Sequence, residues 1–192
     1  MFNTFKVLGL ALLLAIATAF SAEAAKHKIP TPTETMPMGK VIQSPTAFKD
    51  FCKRNVGECA VSKPTAFTLN DDNAKALAKS LKKTQKLIVP QVEASGDFWQ
   101  TREKRGYGDC EDFALTLRKM MRAQFPEASS AFRIATAFTE TGEYHAVLSV
   151  ETNKGTLICD IRFQRCQDWA KMPYTWKFRE TAGALVWQRI AS

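Results

Sequence analysis

The spacing of apolar residues changes once along this 192-residue chain, and that change restricts the fold class more than any other feature. Up to about residue 121 the apolar positions keep a helical period. Asn70 and Asp71 can cap a helix running to about Val89, with Ala74, Leu77, Leu81, Leu87 and Ile88 as its apolar stripe. Pro90 ends it or lies just beyond its end. A polar loop follows over residues 95–108, with Gly96, Gly106 and Gly108. A second helix begins near Asp109, with Phe113, Ala114, Leu117, Met120 and Met121 at helical spacing. After Pro126 the pattern becomes that of strands. Phe132–Phe138, Tyr144–Val150, Thr156–Ile161 and Ala184–Ile190 are rich in β-branched or aromatic residues, with turns at Thr141-Gly142 and Asn153-Lys154-Gly155. Helices followed by an antiparallel run of strands predict an α+β domain.

The first residues read as an export signal. Lys6 is the only charge before an apolar run from Val7 to Phe20. The segment Ser21-Ala22-Glu23-Ala24-Ala25 then offers the small-x-small pattern of a signal-peptidase site, with the cut expected between Ala24 and Ala25. The run of about 14 residues is short of the roughly 20 that span a bilayer, so no integral membrane segment is expected after cleavage. The chain then divides into a signal peptide (1–24), a flexible Pro- and Thr-rich lead-in (25–47) and a single domain (48–192). The protein is expected to be periplasmic or secreted. Its net charge is +8, but the basic residues are scattered, and no zinc-finger, RRM or P-loop pattern is present. Nucleic acid is therefore not an expected partner, and the charge reads as a solvated basic surface.

Five cysteines in an exported chain leave one odd thiol after two disulfides. Pairing Cys52 with Cys59 and Cys159 with Cys166, each seven residues apart in a local loop, leaves Cys110 free. Four cysteines allow three pairings, and the sequence does not choose among them. Cys110 sits in the first turn of the second helix, directly after a glycine-bearing loop. A helix N-terminus carries partial positive charge and unpaired N–H groups, which favour thiolate and can hold an acyl oxyanion. A cysteine nucleophile needs an imidazole to move its proton. The chain has two histidines, and His27 lies in the lead-in. His145, on a predicted strand, is the candidate base. Asp160, at the end of the next strand, is the candidate that holds the imidazole in its working tautomer. Singly, each has a plainer explanation as a buried thiol, a core histidine or a turn aspartate. Their order and setting favour chemistry.

The stretches Trp99-x-Thr101-x-Glu103, Gly108-Asp109-Cys110-Glu111-Asp112, His145-Ala146-Val147-Leu148 and Ile158-Cys159-Asp160 resemble the bacterial transglutaminase-like cysteine proteinases, a papain-like group. The resemblance covers roughly residues 70–170. Its well-understood members are periplasmic proteases that cleave biofilm adhesins. The resemblance implies a papain-like, transglutaminase-core fold with the nucleophile-bearing helix packed on an antiparallel sheet, and a triad of Cys110, His145 and Asp160. Two positions depart from the family pattern: Arg102 stands where Pro is frequent, and Ile161 stands where Asn is common after the Asp. Neither is a triad member.

The resemblance also implies calcium. By motif position its ligands would be Asp109, Glu111 and Asp112. The plainer reading of these acids is helix capping, with Asp109 as N-cap and acids in the first turn. Three carboxylates fall short of the six to eight oxygens calcium takes, so loop carbonyls or water would complete the shell.

The expected function is a thiol hydrolase acting on a peptide or amide bond of a protein or peptide substrate. The Cys110 N–H is expected in the oxyanion hole, with Gln100 as a candidate side-chain donor. Two alternatives remain: a transglutaminase using the same triad, and a non-catalytic exported binding module on the same fold.

Overall fold

The computed structural model describes residues 28–60, 62–91, 98–182 and 185–191. The expected signal peptide at 1–24, His27 and Gly96 lie outside the described residues. Among the described residues, no helix is long and apolar enough to cross a membrane.

The architecture is α+β. A seven-stranded sheet carries helices on one side. Its strands are β1 (Met38–Ile42), β4 (Phe132–Phe138), β5 (Tyr144–Thr152), β6 (Gly155–Asp160), β7 (Arg165–Asp168), β8 (Thr175–Glu180) and β9 (Trp187–Ile190). They run in the order β1-β9-β8-β4-β5-β6-β7, every neighbour antiparallel. The helices are α1 (Thr46–Arg54), α2 (Asp71–Leu87) and α3 (Cys110–Gln124). A short parallel pair, β2 (Ile88–Pro90) and β3 (Gly106–Gly108), leads into α3.

Each helix forms for a local reason. The Asn70 side chain accepts the Asn73 N–H and caps α2, whose Leu77, Leu81 and Thr84 are buried. The expected extension to Val89 fails because Ile88–Pro90 pairs with Gly106–Gly108 instead. Proline suits that short edge, where no ladder N–H is required of it. In α3 the residues from Glu111 to Arg118 are all buried, together with Met121. A helix buried on this much of its surface is a core element, and it lies across the centre of the sheet. Phe48, Phe51, Phe67, Phe113, Phe132 and Trp187 fill the space around it. The Phe48 ring meets Trp187 at 5.2 Å and Trp99 at 5.8 Å, both edge-on.

Both local disulfides are present, Cys52–Cys59 and Cys159–Cys166, and Cys110 is a free thiol. The second bridge joins directly paired residues of β6 and β7.

Three differences from the sequence reading stand out. The lead-in is not a flexible segment from residue 28 onward. Met36 is buried, its N–H donates to Thr156 Oγ1 at 2.9 Å, Thr33 bonds Asp168, and Met38–Ile42 pairs with β9. Proline-rich composition concealed this short edge strand because its hydrogen bonds come from the far end of the chain. The Cys52–Cys59 region is a helix and a 3-10 turn rather than a loop, with Phe48 and Phe51 turned into the core at helical spacing. Strands β7 and β8 carry too many charged residues to read as strands, yet Asp168, Arg179 and Glu180 are buried.

Candidate active site

The loop, the helix start and two strands converge on one cavity of about 700 Å³. Cys110, His145, Trp99, Tyr144, Glu143 and Arg162 are among its lining residues. A second cavity of about 410 Å³ lies beside α1 and the Cys52–Cys59 bridge, and no histidine or free thiol lines it.

Cys110 opens α3 directly after the Asp109 N-cap, and Gly108 at the end of β3 packs against the first turn of the helix. A Cβ there would lie 2.7 Å from Asp112 Oδ2, so only glycine lets the loop pass this close to the helix. Asp112 is fully buried. Its Oδ1 accepts the Gln100 N–H at 3.0 Å, and Arg102 lies 3.5 Å from its Oδ2. The Arg102 N–H donates to Thr116 Oγ1 at 2.9 Å. Asp112 and Thr116 thus fasten the 99–102 segment to α3 and hold Trp99 against the cavity.

The thiol itself sits in an adverse field. Cys110 Sγ accepts the Ala146 N–H at 3.4 Å and donates to Glu111 Oε2 at 3.2 Å. Burial, and then the Glu111 charge, push the thiol well above its ordinary range. The helix terminus alone would favour thiolate; here burial and the neighbouring acids oppose it. Burial, followed by the hydrogen bond and charge of Asp109, pushes Glu111 up to about 9. Ligand oxygens of Asp109, Glu111 and Asp112 all fall within 4.8 Å of one another. Asp109 is the N-cap residue but makes no side-chain capping bond, which weakens the plainer reading for that acid.

The opposite wall is held by hydrogen bonds. His145 and Asp160 lie on the adjacent strands β5 and β6, and His145 Nε2 is 2.9 Å from Asp160 Oδ1. The Arg162 N–H donates to the same oxygen at 2.8 Å. The Tyr174 hydroxyl donates to Asp160 Oδ2, and the Tyr174 ring meets the imidazole edge-on at 5.6 Å. Burial, and then Asp160, push the Tyr174 phenol above its ordinary range. With Nε2 on Asp160, Nδ1 is the nitrogen left to exchange a proton with sulfur.

The arrangement can therefore perform nucleophilic acyl chemistry: a thiol, an imidazole already held by a carboxylate, and a helix start. Gln100 is placed differently from the sequence expectation. Its main chain binds Asp112 and it does not line the cavity, whereas Gln91 does. The sequence reading missed Tyr174 and Arg162. The period-two aromatics Tyr174-x-Trp176 are the one local hint of the former.

A family model described as bacterial transglutaminase-like cysteine proteinase matches residues 38–192. Among solved structures, calcium-bound LapG from Legionella pneumophila shares 21% identity over 79% of this chain and 85% of its own, with a TM-score of 0.52. A second structure of Legionella pneumophila LapG shares 24% identity over 59% of this chain and 66% of its own, with a TM-score of 0.50. These likenesses are of fold. No curated protein sequence matches the chain.

Proposed function

The chain belongs to the bacterial transglutaminase-like cysteine proteinases, and from that premise we propose that it is an exported peptidase working through Cys110, His145 and Asp160. One observation carries the reading: the only free cysteine thiol lines the same cavity as a histidine already bonded to a buried aspartate.

In the proposed reaction His145 Nδ1 takes the thiol proton as Cys110 Sγ attacks the scissile carbonyl carbon. The resulting oxyanion faces the start of α3, where the Cys110 main-chain N–H is a donor. The tetrahedral intermediate collapses, the C–N bond breaks, and the imidazolium gives its proton to the leaving amine. Water then attacks the thioester, His145 takes its proton, and the acid leaves as sulfur is restored. Asp160 keeps Nε2 protonated and stabilises the imidazolium without itself becoming protonated.

Calcium fits the remaining chemistry. Asp109, Glu111 and Asp112 form a compact, hard-oxygen donor set, and burial together with Asp109 raises the proton affinity of Glu111. These three would hold the ion, with Asp112 sharing its carboxylate between that task and the 99–102 segment. A bound dication would offset the negative field beside the thiol. Export follows from the leader at residues 1–24 and suits the two disulfides.

The test needs no known substrate. Cys110 should alkylate rapidly with a small electrophile in calcium, and His145→Ala should slow this by about a hundredfold or more. Equal alkylation rates in the two proteins would sink the reading. Comparing the proteins cleaved in cells carrying wild type and Cys110→Ala would then identify the substrate.

A further inference from the structure

We propose that Tyr174 is a positioning residue for the Cys110–His145 pair, its hydroxyl fixing the imidazole by holding the second oxygen of Asp160. This rests on the triad reading above and adds to it a residue that lies outside the motifs.

Asp160 is fully buried, so each of its oxygens needs a donor. Oδ1 receives two, from His145 Nε2 and the Arg162 N–H. Oδ2 receives the Tyr174 hydroxyl. The direction of that last bond is fixed from outside. Arg162 Nη1 lies 3.2 Å from the Tyr174 oxygen, and a guanidinium can only donate. The phenol must therefore accept from Arg162 and spend its own hydrogen on Asp160. Arg162 is anchored in turn by Glu140, at 2.7 and 3.1 Å. Glu140 is driven down to about 2 by its bond with Arg162 and stays charged. The elevated phenol keeps its proton. Every link from Glu140 to Arg162, Tyr174, Asp160 and His145 thus has one direction, and its last link is Nε2–H. The lone pair of Nδ1 is left for sulfur. The Tyr174 ring, edge-on against the imidazole, limits its rotation.

Tyr174→Phe keeps the ring and removes only the hydroxyl. The other groups around His145 remain: Cys110 and Glu111 on α3, Glu140 and Glu143 on the β4–β5 hairpin, and Asp160 and Arg162. With Oδ2 bare, negative charge concentrates on Oδ1 and the imidazolium is favoured. The readout is imidazole NMR, which is sparse because the chain has two histidines. The His145 titration should move up by about 0.5 pH unit or more. Calcium-supported alkylation of Cys110 should slow by about tenfold. An unchanged His145 titration with alkylation within about twofold of wild type would overturn the proposal and leave the triad standing. Should Tyr174→Phe fail to fold, Arg162→Gln frees the phenol hydrogen, and an unmoved His145 titration there overturns it equally. Failure of the triad reading has a different signature, since wild-type alkylation would then carry no His145 inflection.

Discussion

Helix α3 buries charge at both ends, and the two ends solve the problem differently. In its second half, Arg118 and Arg122 meet Glu180 of β8, at 2.7 and 3.5 Å. Arg118 Nη2 reaches the main-chain oxygen of Glu58, Arg122 reaches those of Glu58, Ser129 and Phe132, and Glu180 also accepts the Ile134 N–H. The Arg118 guanidinium lies 5.6 Å from the rings of both Phe48 and Phe51. Burial pushes Glu180 up, but Arg118 and Arg122 outweigh it and hold the carboxyl below the usual range. At the first turn three carboxylates crowd together, and Glu111 is pushed up to about 9. One cluster is balanced from within the chain and ties helix to sheet. The other is left with like charges beside a thiol, which is the arrangement of a site that expects something from outside.

The contrast predicts that substitutions at the two ends fail in different assays. The largest effect belongs to the first turn. Cys110→Ala should lower peptide cleavage by a factor on the order of a thousand or more, with an unfolding midpoint close to wild type. A folded Cys110→Ala protein with normal turnover would end the catalytic reading. At the other end, Glu180→Gln leaves the buried Arg118 and the partly buried Arg122 without their carboxylate and should cost about 3–5 kcal/mol in denaturant unfolding. The folded fraction should alkylate at Cys110 as wild type does; a loss confined to reactivity would break the contrast.

The next effect separates a cation site from helix capping. Calcium at about a hundred times its dissociation constant should stabilise the protein by about 2.7 kcal/mol, and Glu111→Gln should remove most of that gain. Calorimetry of chelator-treated protein showing no heat on adding calcium would leave the acids as caps.

The smallest effect is a pH slope of opposite sign at the two ends. Glu180 is lowered on folding, so its contribution is present above its unfolded value near 4.5 and is lost as pH falls through its folded value. Glu111 is raised on folding. Without calcium the folded protein therefore binds the extra proton, and stability declines as pH rises from about 4.5 toward 9. Glu111→Gln should flatten that decline and add about 1–2 kcal/mol at neutral pH. A slope unchanged in this variant would assign the cluster's strain to another acid.

The same contrast explains what could be read in the sequence. Helix α3 announced itself through Phe113, Leu117 and Met121, and local pairing of the other four cysteines left Cys110 as the odd thiol. Strands β4, β5 and β6 showed because runs of apolar residues dominate them, polar residues such as Arg133 and Ser149 being the minority. The arginine network left no trace. Arg118 and Glu180 are 62 positions apart, and the same letters elsewhere in the chain, such as Arg189, lie largely at the surface. A basic balance read as solvated surface therefore hid three arginines, Arg118, Arg133 and Arg179, that are inside. Tyr174 was equally silent, because its role comes from a carboxylate 14 residues away and a guanidinium 12 away. Strand β1 was illegible for a related reason: Met38 pairs with Ile190.

That last pairing has a consequence for how the molecule is made. A chain emerges from synthesis, or from a translocation pore, with its N-terminus first. The strand that emerges earliest in the domain has a partner that emerges last. Trp187, the largest fully buried side chain among the described residues, arrives with that partner. Contacts this distant in sequence form late. The strand order thus leaves β1 without its sheet partner until β9 is available. A chain cut after Thr181 is expected to show no cooperative unfolding transition; a sharp one would place the closing step earlier.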